Sequence, residues 1–507
     1  MIVKLFPADA YNQRTINQGH PPDWRNPPGG DYDLVVIGGG PAGLVAALTA
    51  AAGGHRVAMT EQFLTGGTCV NFGCTPSKAL IRSARAVHEA GRGSDFGFRL
   101  NSTPPADFAE VMERVRRIRS MSSAGDAVQV VAQAGVDVYL GHTGFTGPNE
   151  VQVDGRKLYF DKAVIATGSR AATPRIEGLR EDEYLTNETV FSLTEIPRRL
   201  VVLGGGPLGC ELAQAFRLLG SEVDLIHSRN NLLPKDEPKA GELLRRRFER
   251  DGIRLHFGFR AVRVANGRLV AQGRAGTLEF EYDALLLGIG RKANTEGLGL
   301  EAAGIRLRDG GVETDDYLRT SNPAVYAAGD VAFPEKYTHA AMATARLCVE
   351  NALDGANRRA RNLVIPHCTY TDPEIAAVGL TPVMAADEGV ALDTYFLELS
   401  KVERAFIDGE EEGFAEIYTR KGTGEIVGAT LVAAHAGEMI SELTLAITSK
   451  LSMEALAEAI HCYPTQAEVF QRIALEYLSA KQAQKRGQRR PDLKTRRGQG
   501  PDSAEAA

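Results

Sequence analysis

Two strand–turn–helix units of the same design, one at residue 34 and one at residue 200, predict an α/β chain, and a change of pattern after residue 365 adds an α+β module. Leu34-Val35-Val36-Ile37 is a short apolar run that enters Gly38-x-Gly40-x-x-Gly43 and then an alanine-rich helix. Leu200-Val201-Val202-Leu203 enters Gly204-x-Gly206-x-x-Gly209 and a helix over Glu211 to Leu219. In each unit a buried strand delivers the chain to a tight glycine turn, whose backbone can approach a pyrophosphate at the helix N-terminus. One such match is weak, whereas two in the right context predict two Rossmann-like dinucleotide-binding domains.

Further strand-like runs end in glycine: Ala163 to Gly168, Ala284 to Gly288, and Val325 to Gly329-Asp330. The expected order is an N-terminal extension over 1–30, a first dinucleotide domain over 31–170 and 296–365, a second over 171–295, and the module over 366–480. In that module Phe414 to Tyr418 and Ile426 to Val432 flank Gly422-Thr423-Gly424 as a hairpin. Helical patterns follow over Glu438 to Lys450, Met453 to Ile460, and beyond Pro464. The extension, punctuated by Pro21-Pro22 and Pro27-Pro28-Gly29-Gly30, is expected to be an ordered-late or loose lead-in. Residues 481–507 carry eight Lys/Arg against three Asp/Glu and almost no apolar side chains, so a disordered tail is expected there.

Charge and composition exclude several classes. A net charge of −6 gives no electrostatic footprint for nucleic acid. No apolar run approaches the roughly 20 residues of a membrane helix, and Met1 to Ala10 lacks the order of a signal peptide. Six cysteines in 507 residues do not make a secreted disulfide framework, so the cytoplasm is the expected compartment.

The two units differ where a dinucleotide's ribose would lie. Twenty-three residues beyond Gly38 stands Glu61, an acid able to accept hydrogen bonds from ribose hydroxyls. The same step from Gly204 reaches His227-Ser228-Arg229, which has no acid and one fixed cation. A 2′-phosphate is repelled by a carboxylate and welcomed by Ser228 and Arg229, so NADPH is expected in the second site in preference to NADH.

The chemistry is expected in Gly66-Gly67-Thr68-Cys69-Val70-Asn71-Phe72-Gly73-Cys74-Thr75-Pro76-Ser77-Lys78. Cysteines five apart reach disulfide distance when the chain between them makes about one helical turn. Pro76 suits a helix's first turn, and Leu80, Ala84 and Val87 recur at helical spacing, so the pair is expected at a helix N-terminus, which favours thiolate. No further Cys or His stands within ten residues to complete a resident metal site. Cys210 and Cys348, within helical patterns, and Cys368, within a strand-like run, read as packing residues.

This segment resembles the redox-disulfide motif of the pyridine nucleotide–disulfide oxidoreductases, which include dihydrolipoyl dehydrogenase, glutathione reductase and mercuric reductase. The resemblance spans residues 31–480 and takes in both glycine turns, Ala163 to Gly168, Gly288-Ile289-Gly290-Arg291 and Thr320 to Asp330. It implies FAD in the first site, with Gly67, Thr68, Thr167, Gly168 and Asp330 beside the first turn, and a nicotinamide dinucleotide in the second, with Gly290. It also implies that Cys74 is the charge-transfer thiol beside the flavin and Cys69 the interchange thiol that meets substrate. Lys78 then lies near flavin N5, paired with Glu211, and the C-terminal module makes a homodimer.

One position departs from the disulfide reductases. They place a histidine before Pro-Thr and a glutamate five residues after it, and the partner subunit supplies that histidine as the acid–base group. Here the segment reads His461-Cys462-Tyr463-Pro464-Thr465-Gln466-Ala467-Glu468, with the glutamate kept and tyrosine in the histidine's place. Tyrosine is the weaker proton donor by about 5 kcal/mol. A disulfide's leaving thiolate needs a proton, whereas a thiophilic metal ion bound by Cys69 and Cys74 does not. Tyrosine there, with Lys336 to Ala341 and Cys368 to Glu374, is similar to mercuric-reductase-type members. Within this sequence no cysteine precedes Cys69 and no vicinal Cys-Cys follows it, so the carrier pairs of those enzymes are not matched. The expectation is a flavin-dependent reductase of a thiophilic acceptor. The alternatives are a dihydrolipoyl-dehydrogenase-like enzyme for a small disulfide or dithiol, and a redox-sensing flavoprotein. His461 and Cys462, whose side chains point apart from that of Tyr463, read as structural.

Overall fold

The computed structural model describes residues 3–99, 106–180 and 182–485. The chain divides into two units, Met1–Ile365 with Thr369–Asp372, and Pro366–Cys368 with Pro373–Ala507.

In the first unit the run Leu34 to Ile37 lies in the strand Gly30–Ile37, at the centre of a sheet. Leu34, Val35 and Val36 are fully buried, because a parallel strand covered on both faces needs apolar side chains at every position. Among the described residues this sheet has seven strands. Their order is Val136–Leu140, Val57–Glu61, Gly30–Ile37, Arg156–Ile165, Glu150–Val153 and Thr143–Gly147, with Val325–Ala327 paired to Arg156–Ile165. The first four and Val325–Ala327 run parallel, while the Glu150 and Thr143 strands fold back antiparallel.

A second sheet in the same unit orders Arg254–Phe257, Glu222–His227, Arg199–Leu203 and Ala284–Leu287, all parallel. An antiparallel sheet of Phe259–Ala265, Arg268–Gly273 and Gly276–Glu281 is inserted before its last strand. The helices Pro41–Ala52 and Pro207–Leu218 each begin with Pro in the first turn, directly after the glycine turn that ends a central strand. Parallel sheets of this kind place their ligand sites at the carboxyl ends of the strands, where Gly38, Glu61, Gly168 and Asp330 gather in the first sheet.

The second unit is an α+β module. Its sheet runs His367–Thr369, Glu374–Gly379, Ile426–Ala433, Phe414–Arg420, Leu392–Glu398, and the last four strands pair antiparallel. The predicted hairpin and its three helical patterns are present, the helices as Ala436–Thr448, Met453–Glu458 and Glu468–Lys485. Among the described residues no helix is long and apolar enough to cross a membrane.

Two expectations are corrected. The lead-in is not loose. Residues Ala10–Gly19 form a helix capped by Asp9, whose residues Asn12 and Thr15 are buried, and Trp24 and Asn26 hydrogen-bond the strand Val136–Leu140. Proline and glycine punctuate its end and do not dissolve the helix before them. The tail expected to begin at 481 starts inside the helix Glu468–Lys485, because Lys481 Nζ reaches Glu454 Oε1 at 2.5 Å and Tyr477 Oη at 3.0 Å. The rest of that tail, 486–507, lies outside the described residues.

Candidate active site

The two cysteines sit on separate helical pieces. Cys69 lies in the short helix Gly67–Phe72 and Cys74 opens the helix Cys74–Gly91, with Gly73 as the break between them. A side chain at 73 would meet the Thr68 carbonyl oxygen at 2.9 Å, so glycine permits the fold-back that brings the sulfurs together. The thiols share a hydrogen bond, and the Thr338 hydroxyl stands 3.4 Å from Cys74 Sγ. The hydrogen bond from Cys69, the Thr338 hydroxyl and the Lys78 ammonium together bring the Cys74 thiol down to about 6, against burial and the Glu211 carboxylate. The same shared hydrogen bond, with burial, pushes Cys69 up. Of the two thiols, Cys74 is the one whose surroundings favour the thiolate.

Lys78 lies one helical turn beyond Cys74. Its Nζ is 2.7 Å from Glu211 Oε2 and 4.4 Å from the centre of the Tyr370 ring. Glu211 is buried in the helix Pro207–Leu218, and its other oxygen accepts the Tyr370 backbone N–H at 3.0 Å. A buried carboxylate with both oxygens engaged holds the cation beside the cysteines at a fixed place.

The first glycine turn meets the redox segment directly. Gly67, with φ of +56°, lies so close to Gly40 that a side chain on it would come within 2.6 Å of the Gly40 Cα. Gly43 packs under the turn, where a Cβ would fall 1.7 Å from the Gly38 carbonyl oxygen. Both dinucleotide-type helices begin without a side-chain cap, whereas Asp9 and Asp107 cap the helices Ala10–Gly19 and Phe108–Ser122. Uncapped N–H groups after an open glycine turn suit a pyrophosphate. Glu61 accepts Gly39 N–H and Phe63 N–H, each at 2.7 Å, and burial pushes its carboxyl up. Thr167 and Asn294 exchange side-chain and backbone hydrogen bonds, and Gly168 follows with φ of +67°. Asp330 accepts Ser169 Oγ at 2.5 Å and lies 3.3 Å from Arg291 Nε. These groups fit FAD.

The second turn repeats the first. A Cβ on Gly209 would fall 1.9 Å from the Gly204 carbonyl oxygen, and Gly206 faces open space. His227 occupies the structural place of Glu61, since its Nδ1 accepts Gly205 N–H at 3.1 Å. With Nδ1 accepting, Nε2 carries the proton, and that atom is buried without a partner. Burial and nearby Arg229 push His227 below its ordinary value. Ser228 and Arg229 are exposed, and no carboxylate pairs with Arg229 among the described residues. Gly290 has φ of +125° with open space around it.

In the second unit Tyr463 is 66 % exposed, and its hydroxyl donates to Glu403, not to Glu468. Glu403 pushes the Tyr463 hydroxyl above its ordinary value. Glu468 instead accepts Arg472 Nε at 2.6 Å, and its other oxygen is buried without a partner. His461 is held by Glu442 at 3.0 Å, and Cys462 is exposed. Cys210 and Cys348 are buried, and burial pushes both thiols up.

Thr338, Tyr370, Ser169, Arg291 and Asn294 escaped the sequence reading as site residues. Thr338 is 264 positions from Cys74. No local spacing marks such a partner, and only the fold brings it near.

This site and fold define a flavin-dependent dithiol oxidoreductase. The family model for the pyridine nucleotide-disulphide oxidoreductases matches residues 32–346 and that for their dimerisation domain residues 365–474, and the chain belongs to this family. The family is FAD-dependent and uses a pyridine nucleotide, and the dimerisation domain supports a homodimer. The chain is 36 % identical to mercuric reductase from Streptomyces lividans, over 88 % of this chain and 96 % of that protein. It is 34 % identical to dihydrolipoyl dehydrogenase from Chlamydia muridarum, over 88 % and 96 %. Among solved structures it is similar to LpdA from Mycobacterium tuberculosis, with a TM-score of 0.79 at 29 % identity, covering 88 % of this chain and 99 % of that one. The HOCl-induced flavoprotein disulfide reductase RclA from Escherichia coli, at 24 % identity, a TM-score of 0.78 and the same two coverages, shares the fold.

Proposed function

We propose that the chain is an NADPH-linked reductase that passes electrons through Cys69 and Cys74 to a thiophilic metal ion or a thiol-bound form of it, in the manner of a mercuric reductase. When bound, FAD and the nicotinamide supply the two electrons that open the Cys69–Cys74 disulfide. Gly38, Gly40, Gly43, Glu61, Gly67, Thr68, Thr167, Gly168 and Asp330 would hold FAD. Gly204, Gly206, Gly209, Ser228, Arg229 and Gly290 would hold NADPH. The exposed Arg229, paired with no carboxylate among the described residues and beside an acid-free strand end, supports NADPH over NADH.

The chain's own residues do the rest. Lys78, fixed by Glu211, lowers the cost of negative charge near Cys74. Cys74 rests as thiolate, and Cys69, which keeps its proton longer, is the thiol that meets the acceptor. A thiophilic ion takes the two sulfurs as ligands and needs no proton for a leaving group.

The observation that carries the metal-ion reading is Tyr463. Where the disulfide reductases have a histidine, this hydroxyl is held by Glu403 and pushed above its ordinary value, which makes it a poor acid at neutral pH. Steady-state kinetics with NADPH and Hg(II)–thiol complexes test it. Turnover that depends on both cysteines is expected, and its absence overturns the reading. The kinship with dihydrolipoyl dehydrogenases supports a second acceptor class, a small dithiol or disulfide, with slow turnover expected because of Tyr463.

A further inference from the structure

We infer that residues 3–26 form a strap that positions the redox segment, and that Asn12 and Asp9 act on Cys69 and Cys74 through Arg119 and Asn71. The strap lies before residues 32–346, the span that the family model matches. The inference rests on the reading of Cys69 and Cys74 as the redox pair.

The connections run without a gap. Asp9 caps the helix Ala10–Gly19 through Asn12 N–H at 2.8 Å, and its second oxygen takes Arg116 Nε. Asn12, 1 % exposed, accepts Arg119 Nη2 on its side-chain oxygen and donates to the Pro7 carbonyl at 2.6 Å. Arg119, 2 % exposed, is paired with no carboxylate among the described residues and donates Nη1 to the Asn71 carbonyl at 3.2 Å. Asn71 lies two residues after Cys69, and its side-chain amide ties off the Thr65 and Gly67 carbonyls at 3.0 and 2.9 Å. The far end of the strap grips the chain just before the cysteines. Thr65 N–H donates to the Gly19 carbonyl at 3.1 Å, and His20 Nδ1 meets the Phe63 carbonyl at 2.5 Å.

Burial pushes Arg119 down to about 10, and Asp9 supplies the compensating charge against the neighbouring Arg116. Removing the strap leaves two buried cations uncompensated, and the helix Phe108–Ser122 that bears them must move toward water. Asn71 then loses its donor, and the short helix Gly67–Phe72, too small to hold itself, loosens around Cys69. The strap is therefore a positioning element for the thiol pair.

The test uses the full-length, FAD-loaded protein with Asn12→Ala, Asp9→Ala and a deletion of residues 3–20, and with Asn26→Ala as a control that cuts only the strap's hydrogen bonds to Leu140. Amide hydrogen exchange over residues 63–73 and the pH profile of iodoacetamide alkylation of the reduced pair are read beside thermal stability. Asn12→Ala is expected to speed exchange at Thr65 and Asn71 about fivefold or more and to shift the alkylation midpoint, while Asn26→Ala lowers stability alone. If the deletion does not fold, the point variants decide. Unchanged exchange and an unchanged midpoint in Asn12→Ala and Asp9→Ala, even with lower stability, overturn the proposal. Neither readout needs turnover, so a failure of the redox-pair reading, seen as full activity in Cys74→Ser, is distinguishable from a failure of the strap.

Discussion

The Lys78 ammonium lies 2.7 Å from Glu211 Oε2, and the carboxylate is itself anchored by the Tyr370 backbone N–H at 3.0 Å. The two partners act on Cys74 in opposite directions, the cation lowering and the anion raising its proton affinity. Lys78→Met is therefore expected to raise the Cys74 midpoint, and Glu211→Gln to lower it, each by up to about one pH unit. Alkylation of the reduced protein as a function of pH checks this. In the unaltered protein, fast alkylation at Cys74 is expected to persist down to about pH 6 and to fall below it, as the thiolate takes up its proton.

In the proposed relay each cysteine is needed for a different reason. Cys74→Ser would remove the proposed thiolate and Cys69→Ser the thiol proposed to meet the acceptor, so each is expected to cost on the order of 10³-fold in turnover. FAD content, measured by absorbance after gel filtration, is expected to stay at one per chain in both, because the glycine turn and Glu61 are untouched.

His227 stands on Gly205 N–H as Glu61 stands on Gly39 N–H. Arg229→Glu is expected to weaken NADPH binding on the order of 10- to 100-fold and to leave NADH binding within about twofold. His227→Glu, which copies the first site's acid into the second, is expected to favour NADH. Fluorescence titration with each coenzyme measures both.

Tyr463 gives the acceptor prediction. Tyr463→His supplies an acid of ordinary value near 6.5 in place of a hydroxyl raised by Glu403. Turnover with lipoamide is expected to rise about tenfold or more, while turnover with Hg(II)–thiol complexes stays within about twofold. Parallel kinetics on the two acceptors check the difference.

Most of the nucleotide framework was legible because it is local. A strand, three glycines and a helix follow one another without interruption, as from Arg199 to Leu218, and the turn geometry admits no side chain at Gly43 or Gly209. The cysteine pair was legible for the same reason. The surroundings of the pair were less so. Thr338 and Tyr370 reach Cys74 and Lys78 from far along the chain, and nothing in their own neighbourhoods announces it. The lead-in was misread because proline and glycine at 21–30 outweighed an amphipathic stretch whose buried face is polar. Asn12 and Thr15 face the core there and are held by Arg119 and the Tyr11 carbonyl, so no apolar stripe marked the helix. The resemblance implied Glu468 as the family's kept glutamate, and in the structure it opens the helix Glu468–Lys485 and accepts Arg472 Nε.

Anaerobic titration with NADPH, followed by absorbance and then by addition of Hg(II)–thiol complex, lipoamide or glutathione disulfide, decides whether Cys69 and Cys74 relay electrons to a thiophilic acceptor. Uptake of two electrons by the cysteine pair, a long-wavelength band from the Cys74 thiolate against the flavin, and rapid loss of that band on addition of the Hg(II) complex are expected. A band that never forms, or one that outlasts Hg(II) and is discharged by a disulfide instead, would contradict that relay.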